Sequence, residues 1–194
     1  MNSHPVIMKH QTDIPVAPEQ EQLVCVRCGF CCDGTLFMHA HLNEGERGNI
    51  PEKIEKASFT EAGKDYFRLP CQYFSGKCTI YDRKRAYVCG SYRCQLLKDM
   101  EEGKISIDEA YKTVRQALLI RKSIVSDFRR VTGTRKKMFF RQMLIELGKL
   151  QKTIFPDQSN SADLEILIAR CNIYEALLIR HFRSVDEFGK MVMK

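Results

Sequence analysis

Apolar runs are the first thing the chain lacks. None of its 194 residues belongs to a stretch near the roughly 18 apolar residues that a membrane span requires. The N-terminal MNSHPVIMKHQTDIPVAPEQEQ has no apolar segment of signal-peptide length either. These absences predict a soluble, cytoplasmic protein with no membrane partner. Neither a G-x-G-x-x-G stretch nor a P-loop occurs, so an independent nucleotide or dinucleotide site is not expected. With 44% apolar residues, the chain can bury one core, or a small domain with an appended bundle.

Sulfur is what the chain has in quantity. Four of its nine cysteines fall within CVRCGFCC, at Cys25, Cys28, Cys31 and Cys32. A second group, Cys71, Cys78, Cys89 and Cys94, follows about forty residues later, and Cys171 stands apart. Disulfide frameworks belong to oxidising compartments, and the odd count also argues against full pairing. Metal ligation is the physical alternative, because thiolates bind zinc and iron strongly. Eight clustered thiols suffice for two four-thiolate sites, or for one such site with redox-active or spare thiols beside it. Their spacing leaves both arrangements open.

The rest of the chain divides by pattern. Residues 1–22 read as a flexible arm rich in Pro and Gln. Residues 23–102 read as a cysteine-cluster metal-binding domain of short elements. In it TLFMHAH suggests a strand, the CQYF and CTIY segments around Ser75 and Gly76 suggest a hairpin, and PEKIEKASFTEAGKDYF suggests mixed helix and loop. With few apolar residues of its own, such a domain would depend on metal to fold. Residues 103–194 read as a helical bundle. Ser106 and Glu109 have capping-box spacing and open a helix carrying Ile107, Tyr111, Val114, Leu118, Val125 and Phe128 on one face until Gly133. A second helix carries Phe140, Met143, Leu144, Leu147, Leu150 and Ile154 up to Pro156. A third carries Leu164, Leu167, Ile168, Cys171, Tyr174 and Leu178, which puts Cys171 in a core stripe. The expected fold class is therefore mainly α: an irregular cysteine-rich domain with a short β-hairpin, then a bundle of about three helices.

Within the first cluster, the turn of a C-x-x-C loop aims both sulfurs inward, and Gly29 can take the positive φ such a turn often needs. Cys25, Cys28 and Cys31 continue as C-x-x-C-x-x-C, the three-ligand run with which bacterial ferredoxins hold an iron–sulfur cubane, a further ligand arriving from elsewhere. Cys32 departs from the ferredoxin pattern. Adjacent cysteines tend to point different ways, so Cys32 can serve a second site, bridge, or stay free.

CVRCGFCC followed by C-x6-C-x-I-Y and then C-x4-C resembles the bacterial CxxCxxCC cysteine-cluster family, described as a zinc- or iron-chelating domain. The resemblance runs through Gly29, Ile80, Tyr81 and Tyr92 as well as the eight cysteines, and covers residues 25–94. Arg85-Ala86 stands where the family usually has Arg-Pro. The resemblance implies zinc or an iron–sulfur cluster bound through Cys25, Cys28, Cys31, Cys32, Cys71, Cys78, Cys89 and Cys94, with no settled reaction. A related cluster occurs in bacterial flagellin lysine methylases, so an iron–sulfur-dependent redox or group-transfer enzyme is one alternative. A zinc-stabilised protein-interaction module with its partner surface on the C-terminal helices is the other.

The remaining candidates have plainer readings. His39 and His41 alternate, so on a strand both face one side, where they read as a polar face and, in second place, as nitrogen ligands. Asp33 reads as local turn structure. His4 and His10 lie in the arm. The formal charge of +7 falls to +3 once eight thiolates and two doubly charged zinc ions are counted, and most basic residues lie opposite apolar stripes. Nucleic acid is therefore not an expected partner.

Overall fold

The box at Ser106 sets the start of the longest helix. The Ser106 amide donates to Glu109 Oε2 at 2.7 Å and the Glu109 amide donates to Ser106 Oγ at 3.3 Å, so two amides without intrahelical partners are satisfied reciprocally. The helix, Ile107–Thr132, ends at Gly133 in the left-handed conformation, φ 67. Ser106→Ala is expected to lower stability by about 1 kcal/mol, read as a shift of the urea midpoint at unchanged slope.

The structure is a computed structural model that describes residues 19–153 and 161–183. Among them are seven helices and a three-stranded antiparallel sheet, so the protein is mainly α. The helices are α1 (Glu19–Cys28), α2 (Glu52–Lys56), α3 (Val88–Ser91), α4 (Gln95–Glu101), α5 (Ile107–Thr132), α6 (Phe140–Thr153) and α7 (Ser161–Phe182). The strands are β1 (His39–Leu42), β2 (Ser58–Glu61) and β3 (Lys64–Arg68), in spatial order β1-β3-β2.

Helices α5, α6 and α7 pack on one another along the expected stripes. In α7 the period puts Leu164, Leu167, Cys171, Tyr174 and Leu178 inside, and Tyr174 meets Phe140 of α6 edge-on at 5.0 Å. In α5 the buried side is broader than expected. Ala110, Ala117 and Ile124 are buried beside Val114 and Phe128, while Ile107, Tyr111, Leu118 and Val125 are only partly covered. The cause is that α5 is packed from two directions, by α7 and by α1, and alanine allows close approach. Ile154, Pro156, His4 and His10 lie outside the described residues.

Two expectations are corrected. Residues 19–22, read with the arm, are the first turn of α1, where Glu21 is 4% exposed. An ion pair from Arg93 to Glu21, with Arg93 also reaching Glu101 at 2.9 Å, explains how a carboxylate can be buried there. The hairpin expected around Ser75 and Gly76 is cut down to a reversal closed by one antiparallel bridge, Phe74 to Cys78, beside which the Thr79 amide donates to Tyr73 O at 2.9 Å. The hairpin with full strands is a different one, β2 and β3, paired through a turn at Ala62 and Gly63, both at positive φ (49 and 72). That hairpin lies in the segment read as helix and loop. Only α2 is helical in it.

Two apolar clusters result. The larger joins Val24, Phe30, Leu36, Leu96 and Leu97 to the buried faces of α5–α7. The smaller gathers Leu42, Ile54, Phe67, Leu69, Ile80 and Ala86 beneath the sheet, and Phe37 touches both. The cysteine loops lie between these clusters.

Candidate metal centre

Helical spacing puts Cys25 and Cys28, at i and i+3, on one side of the last turn of α1. Gly29 then closes the helix at φ 67, its amide donating to Cys25 O at 3.1 Å, and its own carbonyl accepts from Cys32 N and Asp33 N at 2.9 and 3.0 Å. This turn brings Cys31 back toward the first two cysteines. A Cβ at Gly29 would lie 2.5 Å from the Phe74 ring. Gly29→Ala is therefore expected to be destabilising on two counts, backbone strain and a clash with the loop carrying Cys71 and Cys78. Chemical denaturation would read that loss, and a neutral outcome would contradict the close approach.

The second group arrives from three places. Cys71 precedes the Phe74 to Cys78 reversal, Cys89 lies in α3 and Cys94 immediately precedes α4. The Cys71 amide donates to Cys32 O at 2.7 Å, tying the two segments together. All eight cysteines of the two sequence clusters line one cavity of about 300 Å³, along with apolar residues, Tyr81 and Arg85. Cys171 does not line it. It is buried in the bundle, 1% exposed.

Burial dominates the electrostatics. It pushes the Cys25 thiol up to about 12, raises Cys28 and Cys31 well above the ordinary value, and raises Cys32, Cys71 and Cys94. Cys89 is solvent-exposed at the cavity edge, yet enough protein surrounds it that desolvation takes its thiol to about 12. Without metal these thiols hold their protons at neutral pH. Amide groups oppose the burial at chosen sulfurs: Phe30 at Cys28, Tyr73 at Cys71, and Leu96 and Leu97 at Cys94 each stabilise the thiolate form.

Charged side chains complete the surroundings. Asp33 accepts from Thr35 N at 2.9 Å, the expected turn, but it also pairs with Arg121 of α5, which donates to Thr35 Oγ1 at 2.7 Å and lies 5.1 Å from the centre of the Phe30 ring. Arg121 thus fastens the cysteine loop to the bundle. Arg85 lies 4.2 Å from the Tyr81 ring centre, and its buried Nε has no hydrogen-bond partner. His39 and His41 border the cavity, yet their rings stand edge-on to Tyr66 at 4.8 and 5.6 Å, on the exposed face of β1.

The donor set fits a thiolate-ligated group: clustered thiols, amides directed at sulfur and a cation with a free donor. Among the described residues, no three His, Cys, Asp or Glu side chains are arranged to hold a single metal ion. Arg121, Arg85, Glu21 and Arg93 were not singled out as site residues from the sequence. Glu21 and Arg93 are 72 residues apart and Asp33 and Arg121 are 88 apart, so no local window pairs them. No family profile, curated protein or solved structure matches the chain.

Proposed function

We propose that this protein binds metal through its clustered thiols, and that the group it holds is an iron–sulfur cluster in preference to isolated zinc ions. The observation that carries the reading is the lining of a single cavity by Cys25, Cys28, Cys31, Cys32, Cys71, Cys78, Cys89 and Cys94. The preference for a cluster rests on the C-x-x-C-x-x-C run of Cys25, Cys28 and Cys31, the three-ligand spacing with which ferredoxins hold a cubane. When bound, such a group supplies one-electron exchange, at a potential set by nearby hydrogen bonds, charge and exposure. The chain's part is to provide the thiolates, stabilise them with the amides of Phe30, Tyr73, Leu96 and Leu97, and limit the access of water.

A second reading has its own support. Leu119 on α5 and Ile166 and Ile173 on α7 are 60%, 59% and 70% exposed, which suits a zinc-stabilised module that docks a protein partner through its helices. Anaerobic isolation, with iron, zinc and acid-labile sulfide counted on one coloured or colourless sample, separates the two. Matched iron and sulfide in a brown protein is expected. Stoichiometric zinc without sulfide would favour the interaction module, and free thiols with neither metal would overturn both.

A further inference from the structure

We propose that the cavity holds two separate four-thiolate sites, an inner one of Cys25, Cys28, Cys31 and Cys94 and an outer one of Cys32, Cys71, Cys78 and Cys89. The inference rests on the metal-binding reading above and deepens it by dividing the ligands.

Packing supplies the first evidence. Cys25, Cys28, Cys31 and Cys94 all pack against the large cluster shared with α5–α7. Cys71 and Cys78 instead pack against the small cluster beneath the sheet. Cys32 belongs to neither list, but its carbonyl holds the Cys71 amide at 2.7 Å. The boundary between the two sets therefore falls at the Cys31 to Cys32 peptide, where consecutive side chains diverge.

Cys89 sorts by the same criterion. Its amide donates to Ala86 O at 3.0 Å, Ala86 belongs to the small cluster beneath the sheet, and the adjoining Val88 packs against that cluster. Arg85, next to Ala86, lies 4.2 Å from the Tyr81 ring centre, and its buried Nε has no hydrogen-bond partner.

The two sites also differ in access. The inner cysteines are all partly buried, whereas the outer set includes Cys89, the exposed cysteine. The outer site is the one that exchanges metal with solvent, and the one that a small chelator reaches first.

Reconstitution of the full chain with ferrous iron and sulfide under anaerobic conditions, followed by iron and sulfide counts, tests the division. Cys89→Ala, a substitution at an exposed position, is expected to halve the wild-type load. The pair Cys71→Ala with Cys89→Ala should keep that same half, and Cys89→Ala with Cys94→Ala should lose nearly all of it. Cys171→Ala serves as the control with full load, and far-UV circular dichroism checks that α5–α7 persist in each variant. If Cys89→Ala alone empties the chain, or leaves the load untouched, or if adding Cys94→Ala costs nothing further, the division into two sites is wrong while metal binding stands. A wild-type chain that takes up neither iron nor zinc overturns the metal-binding reading itself.

Discussion

Phe30→Ala is expected to cost about 3–5 kcal/mol of folding stability, the range for truncating a fully buried aromatic side chain. Phe30 is 0% exposed and stands edge-on to Phe182 of α7 at 5.0 Å. The Arg121 guanidinium lies 5.1 Å from its ring centre. The truncation therefore removes an aromatic pair and a cation contact along with the buried area. Its position between Cys28 and Cys31 makes it, with the Arg121 to Asp33 pair, a tie between the cysteine turn and the bundle. Metal uptake should fall together with stability. Urea denaturation of the metal-free chain reads the first effect and iron counting the second. A loss below about 1 kcal/mol, typical of ordinary substitutions, would mean that the loop is not anchored through this ring.

The metal-free chain is expected to lose stability steeply as pH rises from about 9 toward 12, and the loaded chain to lose far less. Burial raises the Cys25 and Cys89 thiols from an ordinary value of 9.0 to about 12, and raises Cys28, Cys31, Cys32, Cys71 and Cys94 as well. The folded chain thus keeps protons that the unfolded chain releases above 9.0, so unfolding releases protons and rising pH favours it. The stabilisation is fully present below the unfolded value and is lost as pH climbs through the folded one. In the loaded chain the same sulfurs have already given up their protons to bind metal, so that source of pH dependence disappears. Thermal melts of both forms at pH 7, 9 and 10.5 provide the comparison. Parallel losses in the two forms would show that the buried thiols are not the cause.

The bundle was legible because its helices carry their own instructions. A capping box at Ser106, a stop at Gly133 and an unbroken 3.6 period in α7 fix where each helix lies and which face is buried. Helix α1 was not legible. EQEQLVCVRC has little apolar patterning, and its position depends on Val24 reaching a distant core and on Arg93 meeting Glu21, contacts that no local window contains. The β2–β3 hairpin escaped for a similar reason. Its strands have four and five residues, and Ala62, a residue that rarely accepts positive φ, occupies its turn.

For the site, sequence spacing identified the eight cysteines that line the cavity, because a dense cluster of thiols is visible in any window. How they sort could not be read there. Cys25 and Cys94 meet the same apolar cluster, and the Cys71 amide meets the Cys32 carbonyl, from segments far apart along the chain. Arg121 is a further case: on sequence it is one of several basic residues of a long helix, and only the fold brings it to Asp33.

Iron K-edge X-ray absorption on the anaerobically loaded chain tests the central claim most directly, because it reports the atoms around the metal. A first shell of sulfur with iron neighbours behind it is the expected result, and the iron that shows it should fall by about half per chain when Cys25, Cys28, Cys31 and Cys94 are replaced together, the outer four thiolates still holding theirs. A first shell of oxygen and nitrogen, unchanged by those replacements, would contradict the assignment of these thiols as metal ligands.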